Sequence, residues 1–191
     1  MPLTKFDPVT ALVVIDLQKG IAGLQTVHPA SEVIARAAQL ARAFRERGLP
    51  VVLVNVTGMA PGRTDVVRPH YPFPPDWAEL VPELRAHPRD FLLSKQRLGA
   101  FLGTSLDHYL RQRGVTQIVL AGIATSAGVE STARNAYDLG YHVVFATDAM
   151  TDRDADAHRH SVEKIFPRIG ETDTTANILE FVNERSGASS P

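Results

Sequence analysis

Five short apolar runs, separated by segments with helical patterning, most constrain how this 191-residue chain can fold. They are 11–17, 50–56, 90–94, 117–123 and 142–148. The runs are rich in Val, Ile and Leu and do not alternate with polar residues, as is typical of parallel strands covered on both faces. The helical segments between them stop at Gly48, Gly114 and Gly140. This alternation predicts an α/β fold: a three-layer αβα, Rossmann-like fold with a doubly wound, mainly parallel sheet. A short sixth strand is expected near residues 169–172.

The length of the chain predicts one domain over residues 1–185, followed by a disordered tail at 186–191. The helix after the first strand is expected to open on a Ser31 cap. Residues 57–89 break the strand–helix rhythm, with seven prolines in a 33-residue stretch. We expect a long crossover there, either a lid over the ligand-binding edge or a plain surface connection.

Composition excludes several classes of function. A formal net charge of −1 gives no reason to expect nucleic acid or an anionic membrane as partner. No apolar run approaches the roughly 18 residues of a membrane span, and the first residues lack the apolar core of a signal peptide. We therefore expect a cytoplasmic protein. The chain has no cysteine, which excludes disulfides, thiolate metal sites and a cysteine nucleophile.

Polar residues follow three of the predicted strands at the edge where open α/β sheets bind ligands. Asp16 follows the first strand, Lys95 the third, and a small-residue turn at 124–128 the fourth. Asp16 interrupts an apolar run, so it should be buried, and a buried charge requires an opposite partner. We expect Asp16 and Lys95 to form that pair, with Asp16 as a proton carrier. The alternatives are a structural Asp16 bonded to backbone amides and an exposed Lys95 at the strand end.

Three motifs together resemble the isochorismatase-like hydrolases, also called the cysteine hydrolase family. They are VVIDLQ at 13–18, SKQRLGAF at 94–101 and LAGIATSAGVESTARNAYDLGY at 120–141. The three occur in the family's order, and the resemblance extends from Ala11 to about Leu179.

The resemblance implies a catalytic group of an Asp after the first strand, a Lys after the third and a Cys after the fourth. These positions map onto Asp16, Lys95 and Gly128, so the nucleophile position carries no side chain. The resemblance also implies a cis peptide between Ile123 and Ala124. The backbone N–H groups of Ala124 and Gly128 would form an oxyanion hole.

Two kinds of chemistry follow from the resemblance. Members that cleave amides need the thiol, so Gly128 closes that route here. The true isochorismatases hydrolyse a vinyl ether, which needs a proton instead of a nucleophile. By resemblance, Asp16 would supply the proton and Lys95 would orient the substrate carboxylates. If burial or an anionic substrate raises the pKa of Asp16, it suits a general acid; if Lys95 keeps it ionised, it suits a base that activates water.

The remaining expectations concern ligands. Gln18, Arg63, Phe101 and Thr125 are expected to contact the substrate, and Arg68 is a second candidate in the crossover. Some family members hold a metal with Asp and His beyond the second strand, but VNVTGMAPGR has neither, so we expect no metal there and no cofactor. The histidines expected to be ordinary surface or packing residues are His70, His142, His158 and His160.

Three hypotheses for function remain open from the sequence. The chain is a small-molecule hydrolase that uses Asp16 and Lys95 without a nucleophile, or a catalytically silent relative that binds a small carboxylate or amide. The third is a scaffold protein with a filled pocket and a functional oligomer surface. The resemblance implies a homo-oligomer, dimer or tetramer.

Overall fold

The computed structural model describes residues 2–65 and 73–184. Arg68 and His70 lie outside the described residues. The tail expected to be disordered, 186–191, also lies outside them, so that prediction stays open.

Six parallel strands form one sheet, with order β3-β2-β1-β4-β5-β6. Their bounds are β1 Thr10–Ile15, β2 Val51–Val56, β3 Phe91–Lys95, β4 Gln117–Ile123, β5 His142–Thr151 and β6 Glu171–Asp173. The predicted α/β fold and its short sixth strand are confirmed. The strand order reverses between β1 and β4, so the ligand-binding crevice of such a sheet is expected at their carboxyl ends.

Seven helices connect the strands in the described ranges: α1 Lys19–Ala22, α2 Ala30–Glu46, α3 Leu106–Gln112, α4 Glu130–Asp138, α5 Ala155–His160, α6 Phe166–Ile169 and α7 Thr175–Glu184. Two π-helical turns, Thr125–Val129 and Ser161–Ile165, precede α4 and α6. The predicted Ser31 cap is wrong, because α2 begins at Ala30 after Pro29 and has no side-chain cap. Pro29 holds the N-cap position with φ −54° and ψ 121°, and its side chain cannot accept a hydrogen bond from the first helical amides.

Two apolar cores cover the faces of the sheet, and β1 supplies side chains to both. Leu12 and Val14 belong to the core under α2 and α7, whereas Val13 and Ile15 belong to the core under α3 and α4. None of these four side chains is more than 1% exposed. Burying each one fully contributes about 1.5–3 kcal/mol. A strand covered on both faces needs apolar residues at every position, which explains why the run does not alternate.

The second half of the predicted crossover is attached beside the end of β1. Gln18 and Leu80 form an antiparallel bridge, and the Val81 N–H donates to the Leu17 carbonyl at 3.0 Å. Trp77 lies against Gly20, where an added Cβ would be only 1.9 Å from the indole. The second half of the crossover is therefore fixed against the end of β1. A lid function for the exposed residues at the start of the crossover remains a prediction.

In the described ranges, no helix combines the length and apolar character needed to cross a bilayer.

Gly122→Ala tests the close approach of β4 to β1 just before Asp16. Gly122 has φ +128°, and a Cβ there would lie 2.0 Å from the Ile15 carbonyl oxygen. We expect a loss of about 2–5 kcal/mol in the free energy of unfolding, measured in urea, from backbone strain and overpacking together. Gly48→Ala is the control, because its φ is +67° but nothing lies within 4 Å. It should lose only about 1–2 kcal/mol. Equal losses in the two variants would contradict the close-packing explanation.

Candidate active site

Asp16 and Lys95 form a buried ion pair at the carboxyl edge of the sheet. Lys95 Nζ donates to Asp16 Oδ2 at 2.7 Å, and Lys95 and Asp16 are 3% and 6% exposed. Because β2 separates β1 from β3, the long lysine side chain reaches over the end of β2 to the carboxylate. Lys95 Nζ also donates to the Arg97 carbonyl at 3.2 Å. The expected contact between Asp16 and Lys95 is confirmed.

The carboxyl group of Asp16 has two different oxygens. Oδ2 accepts from Lys95, whereas Oδ1 is buried and has no hydrogen-bond partner among the described residues. Burial raises the pKa of Asp16 to about 6, against the opposing attraction of Lys95. Of the two alternatives left open by the sequence, this geometry favours a carboxyl group that keeps its proton to a higher pH than an ordinary aspartate, up to about 6.

The π-helical turn Thr125–Val129, here called the 125–129 turn, forms the wall opposite this carboxyl group. A Cβ at Gly128 would lie 3.1 Å from Asp16 Oδ2 and 2.9 Å from Ile15 Cγ2. The Gly128 carbonyl accepts a hydrogen bond from Thr132 Oγ1. Position 128 therefore points directly at the ion pair, and any side chain there would contact Asp16.

The peptide bond between Ile123 and Ala124 is cis, as expected. Among the hydrogen bonds between described residues, none uses the Ala124 N–H, so this donor is available to a ligand. Two other amides of the turn already have acceptors within the protein. The Ser126 N–H donates to Asp152 Oδ2 at 2.7 Å, and the Ala127 N–H donates to the Ala124 carbonyl at 3.2 Å.

Three of the expected substrate contacts have other partners. The Gln18 amide is fully buried and joins the end of β2 to the Trp77 carbonyl, so its hydrogen-bonding groups are already engaged. Phe101 is 7% exposed and lies in the core against Tyr141. Thr125 is also fully buried, and its hydroxyl contacts a histidine ring.

Arg63 is exposed on the crossover, and its role in substrate binding remains a prediction.

Sequence reasoning missed two residues that hold the 125–129 turn. Asp152, just after β5, accepts from both the N–H and the hydroxyl of Ser126. His158 in α5 contacts Thr125 Oγ1 through Nδ1 at 2.9 Å. No motif separates these residues from ordinary polar ones, because their function depends on α5 returning to the end of β4.

Other polar features of the described residues do not form a competing site. No group of three or more His, Asp or Glu side chains in these ranges is arranged to hold a metal. A cavity of about 880 Å³ at the opposite edge of the sheet is lined by arginines. Arg45 there pairs with Asp90 at 2.7 Å, and Arg113 lies over the Tyr109 ring. Arg45 lies in the last turn of α2 and Arg113 directly follows α3, so both are at helix carboxyl ends, where positive charge is stabilising.

The raised pKa of Asp16 makes a prediction about stability. The folded protein holds this proton up to about pH 6, whereas the ordinary pKa is 3.8. The folded state therefore binds more protons between these values, and the free energy of unfolding should fall as pH rises from about 4 to about 6. The fall should reach up to about 3 kcal/mol in urea unfolding and be absent in Asp16→Asn. If the parent instead gains stability relative to Asp16→Asn as pH rises, Lys95 outweighs burial and the pKa of Asp16 is lowered.

Gly128→Cys tests whether position 128 is the empty nucleophile position. The new thiol would be the single cysteine of the chain and should lie beside Asp16 and Lys95. The lysine should hold its pKa below the free value of about 8.5, so alkylation by iodoacetamide at neutral pH should be fast. Ser94→Cys, at an exposed position on β3, provides the reference thiol. A thiol at position 128 that reacts no faster than this reference would refute the assignment.

Comparison with known proteins agrees with this geometry. The family model described as the isochorismatase domain matches residues 10–177. The chain is 42% identical to the isochorismatase family protein YwoC of Bacillus subtilis, over 91% of this chain and 94% of the relative. It is 43% identical to YecD of Escherichia coli O157:H7, over 89% and 94%. The structure of an isochorismatase family protein from Burkholderia thailandensis superposes with a TM-score of 0.90 at 41% identity, covering 93% and 97%.

More distant relatives carry named activities. The ureidoacrylate amidohydrolase RutB of Pseudomonas syringae is 31% identical over 78% of this chain and 73% of its own length. The streptothricin hydrolase of Streptomyces noursei is 33% identical over 78% of this chain and 52% of its own length. The family model, the relatives that match nearly end to end and the shared fold show that the chain belongs to the isochorismatase family of hydrolases.

Proposed function

We propose that this chain is a small-molecule hydrolase that works without a covalent nucleophile and passes a proton through Asp16 to a vinyl ether of the isochorismate type. The observation that carries the proposal is the Asp16 carboxyl group. It is buried, one oxygen is held by Lys95 at 2.7 Å, and the other has no partner among the described residues. Burial raises its pKa to about 6, which suits a proton donor near neutral pH.

Amide cleavage through an acyl-enzyme fits this site poorly. That route needs a nucleophile beside the acid and the base, and position 128 is a glycine in a chain without cysteine. The nearby hydroxyls have other partners, since Ser126 Oγ donates to Asp152 and Thr125 Oγ1 contacts His158. A proton-driven reaction does not need the missing group.

The reaction balances with Asp16 alone as proton carrier. The acid form of Asp16 gives its proton to the terminal CH₂ of R–O–C(=CH₂)–COO⁻. The electron pair of the double bond forms the new C–H bond and leaves an oxocarbenium ion. Water adds to the cationic carbon and returns a proton to the carboxylate. The hemiketal then breaks its bond to the OR oxygen, which takes the hydroxyl proton, and releases ROH and pyruvate.

The surrounding residues support this assignment of roles. Lys95 places a positive charge against Asp16 and attracts the carboxylates of an anionic substrate. Gly128 leaves space where a side chain would touch Asp16 at 3.1 Å. The Ala124 N–H, which has no hydrogen-bond acceptor among the described residues, is a donor for a substrate oxygen. We assign Asp16 and Lys95 to catalysis, and Ala124 and Gly128 to the backbone that binds the substrate.

Asp16→Asn tests the proposal with isochorismate or a simpler enolpyruvyl ether as substrate. We expect kcat/KM to fall by at least about 100-fold, since general acid catalysis supplies a factor of this size. In the parent chain, kcat/KM should decline tenfold per pH unit above about pH 6, because the acid form of Asp16 is lost. Asp138→Asn, at an exposed position at the end of α4, is the matched control and should keep full activity.

Other outcomes would select the alternatives. If kcat/KM increases with pH through about 6, Asp16 acts as a base that activates water. Binding of the ether or of an amide without turnover would identify a catalytically silent relative that binds a small carboxylate or amide. Absence of both binding and turnover would favour the scaffold hypothesis.

A further inference from the structure

The 125–129 turn is attached on its β5 side by side chains that the proposed reaction does not use. β4 lies between β1 and β5, so Asp16 lies on one flank of the turn and the end of β5 on the other. His158 Nδ1 lies 2.9 Å from Thr125 Oγ1, directly after the cis peptide. Any movement of His158 is therefore transmitted to the first residue of the turn.

His158 is held in turn by a second histidine. The rings of His28 and His158 meet edge to face, with centroids 4.9 Å apart. His28 is fixed to β5 because its backbone N–H donates to Thr151 Oγ1 at 3.0 Å and its ring Nδ1 lies 3.3 Å from the same oxygen. The neighbouring Val27 N–H donates to the Asp152 carbonyl at 2.8 Å. Two imidazoles are thus held at a fixed separation.

We infer that His158 is a positioning residue for the 125–129 turn, and that the His28–His158 pair makes the geometry of this turn sensitive to pH. The inference rests on the proposed function, because the turn carries the backbone groups proposed to bind the substrate. It extends that function by adding a loss of activity on the acid side, separate from the alkaline loss due to Asp16.

The charges around His158 give the direction of the effect. It faces His28 from the loop before α2, Asp152 from the end of β5, and the uncharged hydroxyl of Thr125 from the turn. On its own helix, Asp156 pairs with Arg159 at 2.7 Å. Burial and the repulsion from His28 lower the pKa of His158 below its usual value of 6.5, while Asp152 partly opposes this.

Protonation changes both contacts of His158. In the neutral ring, Nδ1 can accept the Thr125 hydroxyl proton, whereas in the imidazolium Nδ1 can only donate, so the hydroxyl must reverse. The new charge also lies beside the His28 ring, with the two ring centroids 4.9 Å apart. Because the pKa of His158 is lowered in the folded protein, the folded state binds this proton less readily than the unfolded chain. The free energy of unfolding therefore decreases as pH falls below about 6.5. A histidine that only fills space would not transmit its titration to the turn.

The test follows the titration of His158 and of the turn amides by NMR, independently of turnover. In protein labelled uniformly with ¹⁵N, the backbone amide shifts of Ser126 and Gly128 should change with pH at the same midpoint as the His158 ring. The same measurement in Asp16→Asn removes the titration of Asp16 from the signal. His158→Asn places an amide oxygen near the position of Nδ1, so it should keep the Thr125 contact but abolish the acid-side change.

His28→Asn tests the repulsion between the two rings. The expected change in the His158 titration is opposite in sign to that expected from simple structural damage. Removing the repulsion from His28 should raise the midpoint of His158. His142→Asn, at an exposed position at the start of β5, is the matched control and should leave both titrations unchanged. Where turnover is measurable, Thr125→Val should lower kcat by about two- to tenfold, the effect of losing one hydrogen bond. His158→Asn should keep the parent kcat at neutral pH and lose only the acid limb.

The outcomes separate this inference from the proposed function. Turn amides that ignore the His158 titration, or an acid limb that survives His158→Asn, would overturn it. If the amides follow His158 but no vinyl ether is hydrolysed, the positioning role stands and the proposed reaction fails.

Discussion

The buried pair of Asp16 and Lys95 is the interaction around which the rest of the site is arranged. Transferring two charges out of water is unfavourable, and only close opposite charge offsets it. Here Oδ2 of Asp16 is held at 2.7 Å, but Oδ1 has no partner among the described residues. The pair therefore compensates its burial only in part. The remaining penalty appears as the raised pKa of Asp16, which suits a carboxyl group that exchanges a proton more than one that only stabilises the fold.

The 125–129 turn is the second element of the site, and its two flanks have different chemistry. Toward β1, Gly128 lets the backbone of the turn approach Asp16 so closely that an added Cβ would lie 3.1 Å from Oδ2. Toward β5, Asp152 and His158 take the hydrogen-bonding groups of Ser126 and Thr125. The turn is thus held firmly from behind while its front face stays free of side chains. Such an arrangement lets a glycine stand at the centre of a site without loosening the backbone around it.

Membership of the isochorismatase family explains the scaffold, and the residue at position 128 limits the chemistry. A relative named as an amidohydrolase shares 31% identity with this chain, so family membership alone does not fix the reaction. Under the proposed function, Asp16, Lys95 and the backbone donors of the turn would move a proton and stabilise charge. Those two tasks are what vinyl ether hydrolysis requires, whereas acyl transfer also requires a nucleophile.

The sequence by itself determined the α/β class, all six strands and the pairing of Asp16 with Lys95. It could do so because strands buried on both faces need continuous apolar runs, and parallel strands bring their carboxyl ends to one edge. It could not determine which residues of the motifs are engaged elsewhere in the fold. Gln18 hydrogen-bonds the end of β2 and the Trp77 carbonyl, and Phe101 packs against Tyr141. The role of His158 was also decided only by tertiary structure. One partner, Thr125, lies 33 residues earlier in the chain, and the other, His28, lies before α2. No local sequence pattern records contacts that folding creates at such a distance.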